Sequence, residues 1–448
     1  MPSPFLFAII LSYIVFLAGI VVEGAGPAEM VFFWFDGFWL FLEFAMQMTL
    51  ILMTGYVVAY HPRVNRLLRR LTHLPNDGKQ AAALVGAFSM GIAWIHWGFS
   101  LIIGAIFARE MGKTAYEEGI DAHYPLLCVA GYMGLGLTWH WGLSGSAPLL
   151  LNTPGNEFIE LGLIDSVVST TETIFSTYAL SLTASSIVFA TLALYALAPS
   201  EGAKPITQYV PEENLSFEVP GTGTETVESD TPADRIDNSK LLGGAIALTA
   251  VAVVGYTFFT EGLGALDLNV LNFGFLFLGL AIYTRPRYYR QRFGDAAEAA
   301  AGIILLFPFF AGIQGMMNAS GLSETLAESM LAVSTPETFP VVAWLTAGVV
   351  NMFVPSGGGE WIVLGPSVIA AAQDLGVPVG QATIAYAVGD AHTNLFNPFW
   401  ALPLLAITGI RAREMFGYAI TMLLLLIPFL ALALTLLVPP VRDGDPTP

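Results

Sequence analysis

Apolar residues run in long blocks along this chain, at 5–22, 38–60, 81–108, 124–154 and 167–198, and again at 241–259, 266–283, 297–317, 338–370, 376–409 and 414–439. An apolar stretch of about 18 residues or more is long enough, as a helix, to cross a hydrocarbon core roughly 30 Å thick. Helices satisfy their own backbone hydrogen bonds, so lipid tolerates them. The pattern predicts an all-α, polytopic membrane protein with about ten to twelve membrane-embedded helices. Phe5–Val22 lacks a basic leader and a small-x-small cleavage site, so it reads as the first span and not as a signal peptide.

The polar stretch 199–240 divides the blocks into an N-terminal half, 1–198, and a C-terminal half, 241–448. It is rich in Pro, Gly, Ser and Thr, which predicts an exposed, weakly ordered linker. Composition strengthens the membrane reading: of 448 residues 55% are hydrophobic and 12% charged, where a soluble chain carries about a quarter charged. The formal charge is −18, and the linker alone holds nine carboxylates against Lys204, Arg235 and Lys240. High salt, which screens self-repulsion, would favour such an acidic surface, and a variable linker would give the same count. The single cysteine, Cys128, excludes an internal disulfide and a zinc site of CxxC type.

Basic residues gather in three short connections: Arg63, Arg66, Arg69, Arg70 and Lys79; Arg285, Arg287, Arg290 and Arg292; Arg411 and Arg413. The positive-inside tendency places all three in the cytoplasm.

The halves share a spacing. SGSAPLLLNTP (Ser144–Pro154) and SGGGEWIVLGP (Ser356–Pro366) both read Ser-Gly, eight residues, Pro, at the corresponding place in each half. Gly and Pro inside an apolar run break a helix and free backbone groups that persist only where protein or a watery cavity satisfies them. The N-terminal end of the helix that follows suits a carboxylate, and freed carbonyls and hydroxyls suit a cation. Paired broken-helix or re-entrant hairpin loops are therefore expected. Ser144, Gly145, Ser146, Asn152, Thr153, Ser356, Gly357, Gly358 and Gly359 are the candidate substrate contacts. Ordinary turns outside the membrane have the same composition, but two of them at equivalent places favour binding elements.

Ionisable residues within apolar surroundings are costly and usually paired or functional. Glu360 follows the triple glycine, and Asp390, His392 and Asn394 lie in GDAHTNLFNPFW; these four are candidates for a cation or proton pathway. An apolar medium tolerates the neutral carboxyl, which can then carry a proton. Glu43, His96 and His140, the histidines flanked by tryptophans, are expected at membrane interfaces, where polar groups are cheap. A membrane-embedded enzyme is disfavoured, since neither HExxH nor GxSxG occurs and the histidines are scattered. No Walker loop suggests a pump, and nothing resembles a repeated selectivity filter.

The sequence resembles the short-chain fatty acid transporter family. The stretches that carry the resemblance run in order from FAMQMTLILMTG (44–55) and WGFSLIIGAIFARE (97–110) through LSGSAPLLLNTPGN (143–156) and FPFFAGIQGMM (307–317) to VPSGGGEW (354–361) and NPFWALPLLAITGI (397–410). The resemblance implies a secondary carrier in the cell membrane that imports butyrate or acetoacetate, with a proton or sodium ion travelling along and no cofactor. Its superfamily implies two inverted repeats, yet inversion would separate the loops 61–80 and 284–293, both basic. A carrier of another organic anion and a cation/proton antiporter stay open as alternatives. The partners expected are a small monocarboxylate and the lipid bilayer, without nucleic acid; a homo-oligomer is left open.

Overall fold

The computed structural model describes residues 4–215, 231–352, 354–397 and 400–437. Twenty α-helices and no strand lie among them. The first half contains α1 (Pro4–Val21), α2 (Pro27–Gly37), α3 (Leu42–Ala59), α4 (Pro62–Leu71), α5 (Gly78–Ile95), α6 (Trp97–Glu117), α7 (Tyr124–Met133), α8 (Ser146–Asn152), α9 (Glu157–Glu160) and α10 (Thr177–Leu197). After α11 (Pro232–Asp237) in the linker come α12 (Lys240–Glu261), α13 (Leu268–Tyr283), α14 (Pro286–Ser320), α15 (Leu322–Leu331), α16 (Phe339–Asn351), α17 (Gly357–Asp374), α18 (Val379–Thr393), α19 (Leu402–Thr408) and α20 (Ala412–Leu436).

Several blocks that read as single spans are interrupted. The run 81–108 breaks at His96, whose extended backbone ends α5 while its Nδ1 accepts from the Phe99 N–H and so caps α6. The run 124–154 becomes α7, a π turn at Gly134–Thr138, a buried tip and the short α8. The run 338–370 becomes α16 and α17.

Without a hydrophobic drive between helices in lipid, close packing needs small residues. Gly104 of α6 and Gly131 of α7 cross so tightly that a Cβ on either would fall 2.2 Å and 2.5 Å from the other's carbonyl oxygen. Gly37 of α2 and Gly315 of α14 also cross closely, a Cβ on either falling 2.7 Å and 2.6 Å from the other's Cα. The core runs through α3, α5–α8 and α14–α18, and α17 and α18 are buried along most of their length. Cys128 lies in this core on α7, fully buried. By contrast α12 turns Leu241, Leu248 and Phe259 outward, as a helix facing lipid does.

The three basic connections share one end of the bundle. Arg69 of α4 pairs with Glu110 of α6 at 3.2 Å, while the adjacent Arg109 donates to the Ile407 carbonyl just before Arg411. His61, the N-cap of α4, packs its ring 4.9 Å from Tyr283, immediately before the basic start of α14. The positive-inside tendency makes this the cytoplasmic end.

Most described residues of the linker are exposed, but part of it docks. Ile206, Val210 and Leu215 are buried against this same end. The Tyr124 N–H donates to the Lys204 carbonyl at 2.9 Å, the Lys204 N–H to His123 Nδ1 at 3.1 Å, and Arg287 pairs with Asp234 at 3.2 Å. The acidic stretch is thus partly docked on the basic face. Its Glu218, Glu225, Glu228 and Asp230 lie outside the described residues, as do Pro398 and Phe399 of the NPFW stretch.

Candidate functional site

The first tip, Trp139–Gly145, folds back between the π turn and α8. Its freed groups find partners across the break between α5 and α6: the Leu143 N–H donates to the Trp94 carbonyl at 2.6 Å, and Ser144 Oγ accepts from the Trp97 N–H at 2.8 Å. Two interruptions thus satisfy each other, as membrane burial demands. Gly145 is required by space. A Cβ there would lie 2.1 Å from the His140 carbonyl oxygen.

The second tip leads into α17, where Ser356 Oγ caps the helix by accepting from the Gly359 N–H at 3.2 Å. Here too the glycines are demanded by close approach. A Cβ on Gly357 would strike the Trp139 ring at 2.4 Å and His140 at 2.8 Å, and one on Gly359 would strike Phe310 at 2.3 Å. The two Ser-Gly motifs therefore meet in space, with the side chains of the first tip lying over the backbone of the second.

A polar chain runs through this junction. Ser146 Oγ lies 2.7 Å from His140 Nε2, and His140 Nδ1 lies 2.6 Å from Asp390 Oδ2. All three residues are buried, and His140 and Asp390 are 0% exposed. Glu360, equally buried, sits within reach of Asp390 and Tyr386. Its two carboxyl oxygens and Asp390 Oδ1 have no hydrogen-bond partner among the described residues. Buried polar atoms without partners are rare enough to need a reason. Asn351 holds the neighbouring backbone, donating to the Asp390 carbonyl at 2.8 Å and to Asn394 Oδ1 at 3.0 Å. Asn394 in turn donates to the Leu135 carbonyl in the π turn at 3.0 Å.

Between the tips lies a cavity floored by Ser146, Ser356, Gly357 and Gly358 and walled by Trp97, Trp139, Phe307 and Trp400. The centre of a water-sized sphere can roam about 20 Å³ inside it, space for a water or two. The indole N–H groups of Trp97 and Trp139 have no acceptor among the described residues. A short fatty acid fits only once the aromatic walls shift.

The family pattern of short chain fatty acid transporters matches residues 1–437. The chain belongs to that family. A relative in Escherichia coli K12 whose name assigns it to short-chain fatty acid transport is 36% identical over 424 residues, covering 95% of this chain and 93% of that one. One of the same assignment in Haemophilus influenzae Rd is 33% identical, covering 97% and 96%. Family and relatives are transporters, not enzymes, and this one is a multi-pass protein of the cell membrane. Two solved transporters share the fold. Neisseria gonorrhoeae MtrF superposes with a TM-score of 0.59 at 15% identity, covering 98% of this chain and 94% of that one. Alcanivorax borkumensis YdaH gives 0.57 at 16% identity, with 96% and 98% covered.

Of the residues singled out in the transporter's sequence, Ser146, Ser356, Gly357 and Gly358 line the cavity, and Glu360 and Asp390 lie in the polar chain behind it. Others serve elsewhere. Asn152 Nδ2 donates to the Gly264 and Leu266 carbonyls at the far end of α8, and Thr153 Oγ1 donates to the Leu149 carbonyl. His392 turns away from Asp390 to bond the Leu423 carbonyl at 2.9 Å. His96 and His140 are buried in the core, not at an interface, whereas Glu43 is exposed at the start of α3. Sequence reading missed His140, Trp97, Trp139 and Tyr386 as parts of the site. The signals for His140 were its place in an apolar run and its position four residues before the first Ser-Gly motif.

Proposed function

We propose that the transporter imports short-chain fatty acids such as butyrate and acetoacetate by symport with a proton, binding each carboxylate in the cavity between the two tips. The observation that carries this reading is the donor set of that cavity. Its lining residues carry two serine hydroxyls, two indole N–H groups without an acceptor among the described residues and the N-terminal backbone of α17, with no lysine or arginine among them. Neutral donors and a helix N-terminus suit one carboxylate. A second charge on the substrate would be buried unpaired. Aromatic walls suit a short apolar tail and read its length weakly, since each methylene is worth about 0.8 kcal/mol.

Moving a lone anion into a cell that is negative inside costs about 2.3 kcal/mol per 100 mV, so accumulation needs a co-transported cation. The adjacent buried Asp390 and Glu360, unpaired with any lysine or arginine among the described residues, favour a proton as that cation. Coulomb repulsion between two such carboxylates is relieved by a proton. The test is uptake of labelled butyrate into proteoliposomes with an imposed proton gradient or an imposed sodium gradient. Accumulation driven by the proton gradient alone is expected. Accumulation driven only by sodium, or succinate competing as well as butyrate, would overturn the reading.

A further inference from the structure

We infer that His140 is the group that takes up the symported proton, and that substrate occupancy, sensed through Ser146, decides when it does so; this rests on the transport reading above. The imidazole is held at both nitrogens. Asp390 Oδ2 stands 2.6 Å from Nδ1, while Nε2 faces Ser146 Oγ at 2.7 Å and the Ala147 N–H at 3.4 Å. A backbone N–H can only donate, so Nε2 presents its lone pair and the single ring proton sits on Nδ1, directed at Asp390. The ring is neutral in this arrangement, and Ser146 donates its hydroxyl proton to Nε2.

Every group around the ring has a defined part. Asp390 and Tyr386 face it from α18, the edge of the Tyr386 ring 5.5 Å away centre to centre. Trp139 stacks on it at 4.3 Å. Glu360 of α17 reaches Asp390 from behind. Of the described contacts between a basic side chain and a carboxylate, His140–Asp390 is the one buried on both sides.

Ser146 lines the cavity, so it is the member of the chain that a substrate can touch. A carboxylate entering there is a stronger acceptor than a neutral imidazole and takes the Ser146 hydroxyl. Nε2 then keeps a lone pair beside an added negative charge in a buried site. A proton from the medium binds Nε2. The imidazolium then donates from Nδ1 to Asp390 and from Nε2 towards Ser146 Oγ or the substrate; the N–H bond formed at Nε2 replaces an O–H bond of the hydronium that delivers the proton. The added charges cancel, one negative from the substrate and one positive from the proton, so the loaded site gains no net charge. Burying the anion alone would leave a charge without compensation. Departure of the substrate returns the hydroxyl to Nε2 and releases the proton. The tight loop enforces the link, because Gly145, between the two residues, has no room beside the His140 carbonyl.

The experiment has two arms. Butyrate is added to purified full-length transporter in weakly buffered detergent near neutral pH, and protons are counted. Uptake of one proton per butyrate bound is expected, with butyrate affinity rising about tenfold per unit fall in pH. Binding without proton uptake would overturn the inference. In proteoliposomes, His140→Gln should lose accumulation driven by a proton gradient, and whatever butyrate exchange it retains should no longer respond to pH. Gradient-driven accumulation persisting in His140→Gln defeats the role of His140 and leaves the transport reading standing. A wild-type protein that neither exchanges nor accumulates any short monocarboxylate defeats the transport reading itself. If His140→Gln does not fold, nitrogen-15 histidine NMR of the wild type decides: an imidazolium signal appearing as butyrate is added is expected, and histidine signals unchanged by butyrate would overturn the inference.

Discussion

The two Ser-Gly motifs open helices that differ in kind. After the first, α8 runs for 7 residues, and its N-cap, Gly145, offers no side-chain hydrogen bond; after the second, α17 runs for 18 residues from the Ser356 cap. Pro154 lies beyond the end of α8, where the Asn156 side chain takes up the Leu151 and Thr153 carbonyls. Pro366 lies inside α17 instead. The first tip supplies side chains to the site: Trp139, His140 and Ser146. The second supplies backbone, because three successive glycines are pressed by rings from the first tip and from other helices. One sequence pattern thus serves two purposes, chemistry on one side and close approach on the other. The identity of the neighbours decides which.

The largest expected effect tests that division directly. Gly145→Ala places its Cβ against a carbonyl oxygen that has nowhere to go, while Gly357→Ala meets two stacked rings. A misplacement of about 1 Å at such a site can cost a hundredfold. Butyrate uptake should therefore fall about a hundredfold in Gly145→Ala and less in Gly357→Ala, with both proteins eluting as single species. Valine at either place should abolish uptake. Near-normal uptake in both valine variants would show the tips to be ordinary turns.

Next come the donors. Trp139→Phe and Trp97→Phe keep the aromatic walls and remove an N–H each. A hydrogen bond to a charged group is worth about 1.5–3 kcal/mol, so the apparent affinity for butyrate should weaken tenfold or more. Ser356→Ala should cost less, because water can replace a hydroxyl. Equal, unchanged affinities in the two phenylalanine variants would move the carboxylate elsewhere. Chain length should matter still less, each methylene of a competing acid changing inhibition about fourfold.

The smallest effect concerns the linker. Burial, helped by the nearby Lys204 charge, holds His123 below its ordinary value of 6.5, and the neutral ring accepts the Lys204 N–H. The folded form thus prefers neutral His123, so this part of the docking is intact above pH 6.5 and lost as the pH falls through the lowered value. The protection of backbone amides at residues 204–215, measured against their intrinsic exchange rates, should fall on acidification. Protection that does not change with pH, or His123→Gln losing protection in acid as the wild type does, would assign the docking to other contacts.

Much of this architecture was legible in the sequence. Helices and broken-helix tips follow from apolar run length and from glycine and proline placement. Glu360 and Asp390 stood out because carboxyls in apolar runs are conspicuous. The breaks were not legible where a single residue makes them. Ile95 and Trp97 keep the run apolar across His96, and the break exists because His96 caps the next helix. His140 was misjudged for a related reason: flanking tryptophans suit a membrane interface as well as a buried site, and only its meeting with Asp390, 250 residues away, separates the two. The linker's docking rests on three apolar residues scattered among polar ones, too sparse to read without the basic face that receives them.

The burial of Cys128 bears on how the motion of the tips can be watched. The native thiol is sealed within α7, so the wild-type chain already behaves as a background without reactive cysteine. A pair of cysteines introduced at exposed positions, one in each half, could carry spectroscopic labels without first removing a native residue from the core. Distances between such labels, followed while butyrate is added, would register whether the aromatic walls part alone or the halves turn with them. A maleimide that reacts with the folded wild-type protein as fast as with the unfolded one would withdraw that convenience.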